Sequence, residues 1–224
     1  MTKKLKMWKH ASASQISTFR ACNRKWWWQY IGGKKTPPSP AAELGSKMHT
    51  ELENYLEKGV PLKSPICIAG LEYLPEPKKK GNLVEERFSM EDTRLPVRLV
   101  GIVDLVETEE ERITDHKTTS NFRYAKTEEM LRVDPQAVIY MKWAMDDMRL
   151  DKIRFRHIYY RTKGSPASRV TEIEVTKAEV ELRFEKIVET VNEMHFASRL
   201  DLPSKALPTP ESCGDYGGCP FVGD

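Results

Sequence analysis

A single helical segment divides the strand-like part of this chain in two. Asp134-Pro135 supplies a side-chain cap and a proline at the first helical position, and the helix it opens reads to about Met148. Three strand-like runs precede it, 82–90, 97–107 and 112–118, and two follow, 153–161 and 170–175. A helix between strand groups implies a crossover, and so a mixed sheet with helices on its faces. Helices also stand at both ends. Ser12-Ala13-Ser14-Gln15 is a capping box opening a helix that ends near Ile31-Gly32-Gly33, with Ile16, Phe19 and Trp27 on one stripe. A second helix, about 41–57, turns Leu44, Met48, Leu52, Tyr55 and Leu56 inward, and Gly59 closes it. Thr176-Lys177-Ala178-Glu179 is another capping box, opening a helix to about Ser198. Residues 60–80 show no long period, and the tail from Asp201 shows neither period, so it needs tying down to be ordered. With no internal repeat and no second core, the expectation is one domain over 1–224: N-terminal helices at 12–58, a core at 82–200 and a tail at 201–224.

With 39% hydrophobic and 31% charged residues, the composition is that of a soluble globular chain. Its apolar runs are too short to cross a bilayer, and Met1-Thr2-Lys3-Lys4-Leu5 has no apolar signal core, so a cytoplasmic protein without membrane association is expected. A net charge of +3 does not by itself announce a nucleic-acid partner. A site built from acidic groups can nevertheless coexist with local basic patches.

The chemistry gathers at a few places. Asp104 closes the apolar run Gly101-Ile102-Val103, and Ile113-Thr114-Asp115-His116-Lys117 follows. Alternate strand residues share a face, so Asp115 and Lys117 project together and the His116 side chain points away. If the two runs pair, Asp104 joins them, and two carboxylates with an ammonium suit a divalent metal beside an anionic substrate. Asp-x-Lys alone is common, and by itself it reads equally well as solvated charges at a strand end. Further upstream, Gly45-Ser46-Lys47-Met48-His49 and then Glu53 stand on the second helix. Gln136 and Tyr140, four apart, share a face of the 134–148 helix. Of the four cysteines, Cys67 lies in an apolar segment and reads as core, while Cys22, Cys213 and Cys219 do not.

In this order, G-x-x-x-H, G-I-V-D, D-x-K, Q-x-x-x-Y and tail cysteines, the chain resembles the RecB-like exonuclease branch of the PD-(D/E)XK nucleases, over nearly its whole length. The resemblance implies a restriction-endonuclease-like α/β fold with a mixed central sheet flanked by helices and a cysteine-bearing tail packed back on the first helix. It implies a Mg²⁺- or Mn²⁺-dependent deoxyribonuclease acting on single-stranded or free DNA ends in recombination, repair or phage DNA processing. Asp104, Asp115, Lys117, Gln136 and Tyr140 would be its catalytic residues. His49, Asp104, Asp115 and the His116 carbonyl would be its metal ligands. Gln136 and Tyr140 would orient substrate phosphate or hold the lysine. Glu85 or Glu86 falls where the family often has an acidic residue. Cys22, Cys213 and Cys219 match three of the four ligands of a [4Fe–4S] cluster, Pro210 stands where the other tail cysteine would be, and no fourth ligand is evident. Two other readings remain at this point. One is a catalytically silent DNA-binding subunit of a helicase–nuclease complex, working with a protein partner or as a homo-oligomer. The other is a zinc-stabilised module using the three cysteines and a histidine.

Overall fold

A computed structural model of the chain describes residues 8–217 and 219–221. A two-residue strand, β1 (His10–Ala11), leads into α1 (Ala13–Ala21), α2 (Asn23–Trp26), α3 (Pro40–Lys58) and the short α4 (Pro65–Ile68). Strands β2 (Asn82–Met90), β3 (Arg98–Glu107) and β4 (Arg112–Thr119) follow. Then come α5 (Glu128–Arg132), α6 (Pro135–Met148), β5 (Lys152–Arg161), β6 (Ser168–Thr176) and α7 (Lys177–Ser198). The sheet runs β1-β3-β4-β5-β6, with β2 also paired to β3. Between β4 and β5 the chain passes through α6 and returns parallel, so the sheet is mixed, as the helix between the strand groups predicts. β3 meets β4 antiparallel, with Leu105 opposite Thr114. β5 sets His157 opposite Asp115 and Tyr159 opposite Lys117. No helix among the described residues is long and apolar enough to cross a membrane.

The chain divides into two compact units, one of Met1–Pro37, Ser89–Gly101 and Arg183–Asp224, the other of Pro38–Phe88 and Ile102–Leu182. In the first unit the expected single N-terminal helix is broken. Cys22 takes an extended backbone (φ −165°, ψ 114°), closes α1 with its N–H on the Thr18 carbonyl, and caps α2 by accepting from the Lys25 N–H at its sulfur. The chain continues from α2 as a π-helical turn over Trp27–Ile31. The apolar stripe survives the break: Ile16, Phe19, Trp26 and Trp27 are all buried, and Trp8 and Phe19 meet Trp26 edge-on at 5.5 and 5.2 Å. The periodless tail is held through its carbonyls. Arg24 donates from its N–H to Leu207 and from its guanidinium to Ala206 and Ser204, and the Trp27 indole donates to Leu200.

In the second unit Ser39 caps α3, Pro40 occupies its first turn, and Gly59 ends it in the left-handed conformation (φ 73°). The face carrying Met48 and Leu52 packs with Cys67, Ile158 and Tyr160 into one core. Cys67 is thus the core residue its apolar setting predicts. Residues 60–80, which show no period, hold α4 under a Ser64 cap and a turn at Leu71–Tyr73. Gly70 is required there, because a β-carbon would lie 2.4 Å from the Tyr160 ring. That ring's hydroxyl hydrogen-bonds His116 Nδ1 at 3.2 Å, so the side chain of His116 is buried on the core side of β4.

Candidate active site

Every residue expected at the catalytic centre lies in the second unit. Leu105 and Thr114 are paired, so Asp104 and Asp115 come next in register on β3 and β4. Asp104 is 9% exposed and its Oδ2 accepts from the His116 N–H at 2.7 Å. His49, on the flank of α3 beside its buried face, brings Nδ1 to 3.4 Å from Asp104 Oδ1. Its Nε2 lies 3.0 Å from the His116 carbonyl. A carbonyl only accepts, so Nε2 carries a proton, and Nδ1 faces Asp104, donating to it when the ring is protonated and presenting a lone pair when it is neutral. The His116 carbonyl, expected as a metal ligand, accepts this hydrogen bond and so fixes the His49 ring.

The open cleft in front of these residues, of about 470 Å³, is lined by Ala42, Gly45, Ser46, His49, Thr50, Glu53, Glu85 and Asp104. Ligand atoms of His49, Glu85 and Asp104 lie within 4.8 Å of one another, and among the described residues no other His, Cys, Asp or Glu group is so gathered. One nitrogen and two carboxylate oxygens suit Mg²⁺ less well than Mn²⁺ or another first-row ion, and accommodate either. Glu85 is thus the acidic residue of β2 that turns to the site. Strand alternation could not decide between it and Glu86, because Glu85 sits at φ +52° and breaks the two-residue period.

Asp115 is 1% exposed. Its Oδ1 accepts from Gln136 Nε2 at 2.9 Å, and its Oδ2 pairs with Lys117 Nζ at 2.5 Å. Gln136 and Tyr140 project from α6, whose start is fixed by the Asp134 carboxylate accepting from the Gln136 and Ala137 N–H groups at 3.1 Å each. The Gln136 amide also donates to the Tyr140 hydroxyl, which in turn donates to the Ile102 carbonyl of β3. The expected face of α6 is present, but it grips Asp115 and β3 rather than the lysine.

Sequence reasoning missed His157, which stands in an apolar strand where a buried histidine reads as core. Its Nε2 lies 3.5 Å from Asp115 Oδ2 and its Nδ1 2.9 Å from the Tyr159 hydroxyl. That hydroxyl accepts from the Lys126 N–H, so its own proton goes to Nδ1. The His157 proton is then on Nε2, toward Asp115. Burial drives the His157 pKa down to about 2, so the ring stays neutral.

The charges are set apart in the same way. Burial opposes ionisation of Asp104, yet the hydrogen bond from His49 and the Lys117 charge hold its pKa below the usual carboxylate range. Burial pushes Asp115 up to about 6 despite Lys117. Burial also works against the Lys117 charge, but Asp115 and Asp104 outweigh it and raise its pKa. The hydrogen bond to Asp104 raises His49, and burial followed by the Asp104 charge raises Glu85. A cation arriving in the cleft would relieve this crowding of negative charge.

Three free cysteines, Cys22, Cys213 and Cys219, lie in the first unit. The Cys219 N–H donates to the Cys213 carbonyl at 2.8 Å, folding the tail cysteines into one turn. Burial and the neighbouring Cys219 and Cys22 push the Cys213 thiol up. The three sulfurs are not drawn together within 4.8 Å, as a tetrahedral zinc site would draw them. Cys67, buried in the second unit with its thiol pushed to about 12 by burial and the adjacent Glu51, does not fit as a fourth ligand.

The sequence profile of the PD-(D/E)XK nuclease superfamily matches residues 10–78 and 68–223. No curated protein matches the chain. Among solved structures, a candidate exonuclease from Eubacterium rectale superposes with a TM-score of 0.62 at 12% identity, covering 87% of this chain and 83% of that one. At that identity the likeness speaks for the fold alone. A phage-related exonuclease from Haemophilus somnus 129PT aligns over 85% of this chain and 94% of its own at 13% identity, but its TM-score of 0.37 adds nothing to the argument.

Proposed function

Because this chain belongs to the PD-(D/E)XK nuclease superfamily, we propose that it is a divalent-metal-dependent deoxyribonuclease of the RecB-like branch, trimming single-stranded DNA from an end. The observation that carries the reading is the meeting of Asp104, Asp115 and Lys117 from adjacent strands beside the cleft that holds His49 and Glu85. His49, Glu85 and Asp104 would hold a divalent ion, and Asp115 would add its charge to theirs. A divalent ion bound there supplies positive charge to the scissile phosphate and to the attacking water. Lys117, tied to Asp115, presents its ammonium where negative charge grows on the phosphate in the transition state. Gln136 holds Asp115 Oδ1, Lys117 pairs with Oδ2, and Tyr140 ties Gln136 to β3. Free DNA ends of the kind met in recombination, repair or phage genome processing would be the substrates, in a cytoplasmic setting. The test is incubation of the purified protein with end-labelled single- and double-stranded DNA, with Mg²⁺, Mn²⁺ or chelator. Shortening of the single strand that requires metal is expected, and no cleavage under any metal would overturn the reading.

Two further outcomes are expected of the protein alone. Mn²⁺ at about a hundred times its dissociation constant should stabilise the fold by roughly 2.7 kcal/mol, read as a rise in Tm that chelator abolishes. The rise should shrink as pH falls through about 6, because protons compete for Asp115 and for His49, both raised above their ordinary values. A rise that is insensitive to pH would place the ion elsewhere.

We infer also that Cys22, Cys213 and Cys219 bind iron. Protein purified anaerobically should contain iron and sulfide, and Cys213→Ser should lower iron content and Tm together. A colourless protein whose stability ignores that substitution would exclude the cluster.

A further inference from the structure

The C-terminal ends of β4 and β5 carry a feature that the catalytic site does not use. The two strands are parallel, with Thr119 opposite Arg161, so the segments that leave them, 119–126 and 161–169, emerge side by side. The Thr162 N–H on the Thr119 carbonyl, at 2.8 Å, ties them together. Between them these segments hold Arg123, Lys126, Arg161, Lys163 and Arg169, and not one Asp or Glu, in a chain whose net charge is only +3. The turn at the other end of β4 is Glu109-Glu110-Glu111. The sheet is thus basic where β4 and β5 end and carries three carboxylates where β4 begins.

Aromatic rings organise the cations. The guanidinium carbons of Arg161 and Arg169 lie 5.5 and 5.0 Å from the centre of the Phe122 ring. Arg161 also donates twice to the Ser165 carbonyl, and among the described residues no carboxylate pairs with Arg123, Arg161 or Arg169. Tyr124 is 61% exposed, with the Arg123 guanidinium 4.7 Å from its ring centre and donating to its hydroxyl. The loop is not loose beside the site. The Lys126 N–H is bonded to the Tyr159 hydroxyl at 3.0 Å, and Tyr159 is the residue opposite Lys117. The basic end begins two strand positions past Lys117, roughly 7 Å along β4.

We propose that this cluster is a binding platform for an unpaired stretch of the DNA strand whose scissile phosphate lies at Lys117. The proposal rests on the nuclease reading above and assigns the residues that grip its single strand. Arg161 and Arg169, held against Phe122, receive backbone phosphates, and the exposed face of Tyr124 stacks a base. Stacking needs a base free of its partner, so the platform favours single strands, and an aromatic face accepts any base, so it reads no sequence.

The test measures binding of the full chain in chelator, so that nothing is cut, to a labelled oligothymidylate and to a blunt duplex of equal length. Tyr124→Ala should weaken single-strand binding about tenfold and leave its salt dependence unchanged, while Tyr124→Trp restores it. Arg161→Ala with Arg169→Ala should weaken it at least as much and flatten the salt slope by about 0.7 for each lost contact. Tm is followed throughout, and Arg169→Gln alone, at an exposed side chain, decides the matter if the double variant does not fold. Variants that bind the strand like the wild type would overturn the proposal, and so would a Tyr124→Ala loss that is equal on the duplex. A wild type that binds through these residues yet cuts nothing with Mg²⁺ or Mn²⁺ would sink the nuclease reading and leave the platform standing. A wild type that cuts while its variants bind as tightly would do the reverse.

Discussion

Asp104→Asn, Asp115→Asn and Lys117→Ala should each leave a folded protein whose DNA cleavage is down by roughly a thousandfold or more. The two amides keep the shape of the carboxylates but remove the charge that attracts a hard cation. Lys117→Ala removes an ammonium that acts on charge present only in the transition state, so metal binding should survive it. DNA binding should persist or tighten in the Asn variants, since a carboxylate near the scissile phosphate repels it. Stability separates the two aspartates. Asp104 has a lowered pKa, so its contribution to the metal-free fold is present above the unfolded value and is lost as pH falls. Asp115 is raised to about 6, so its contribution is greatest below the unfolded value and is lost as pH rises through about 6. The Asp115→Asn variant should therefore lack the decline in Tm that the metal-free wild type shows between about pH 4 and 6. Cleavage and Tm are measured together on all three variants. Variants that stay folded and still cut would put the active site elsewhere, and variants that unfold would make these residues structural.

His49→Ala should act through metal. His49 is the one nitrogen donor of the cleft, and its ring is already oriented by the His116 carbonyl. Its removal should weaken Mn²⁺ binding by at least the 10–100-fold typical of losing a supporting residue at a metal site. Activity should then collapse at limiting Mn²⁺ and largely return at saturation. An equal loss at every Mn²⁺ concentration would assign His49 to substrate binding or to structure.

Much of this arrangement was legible in the sequence, and what was legible was local. The start of α6 follows from Asp134-Pro135, and Thr176 with Glu179 makes the reciprocal cap read at the start of α7. The strand limits at Asn82–Met90 agree to the residue, because turns flank them on both sides. What was not legible depends on partners far along the chain. Cys22 breaks the first helix, and the tail carbonyls that Arg24 and Trp27 hold lie some 180 residues away, so no window centred on Cys22 contains them. Glu85 faces the cleft through a left-handed backbone that residue identity does not announce. His157 matters because β5 lies beside β4 in one register, and a shift of one residue would turn it away from Asp115. Asp104, Asp115, Lys117, His49, Gln136 and Tyr140 were singled out because each belongs to a short local motif; the residues that touch them from other elements were missed because no such motif contains them.

The place of β4 within the sheet bears on how such a protein can change over time. Asp115 and Lys117 stand on a strand with β3 on one side and β5 on the other, while the segments 119–126 and 161–169 lie beyond its end. If those segments grip the strand as proposed, drift in them would alter what is gripped without disturbing Asp115 and Lys117. Substrate preference and chemistry would then be open to selection separately: the loops could diversify from one descendant to the next while the strand proposed to carry the reaction is inherited intact.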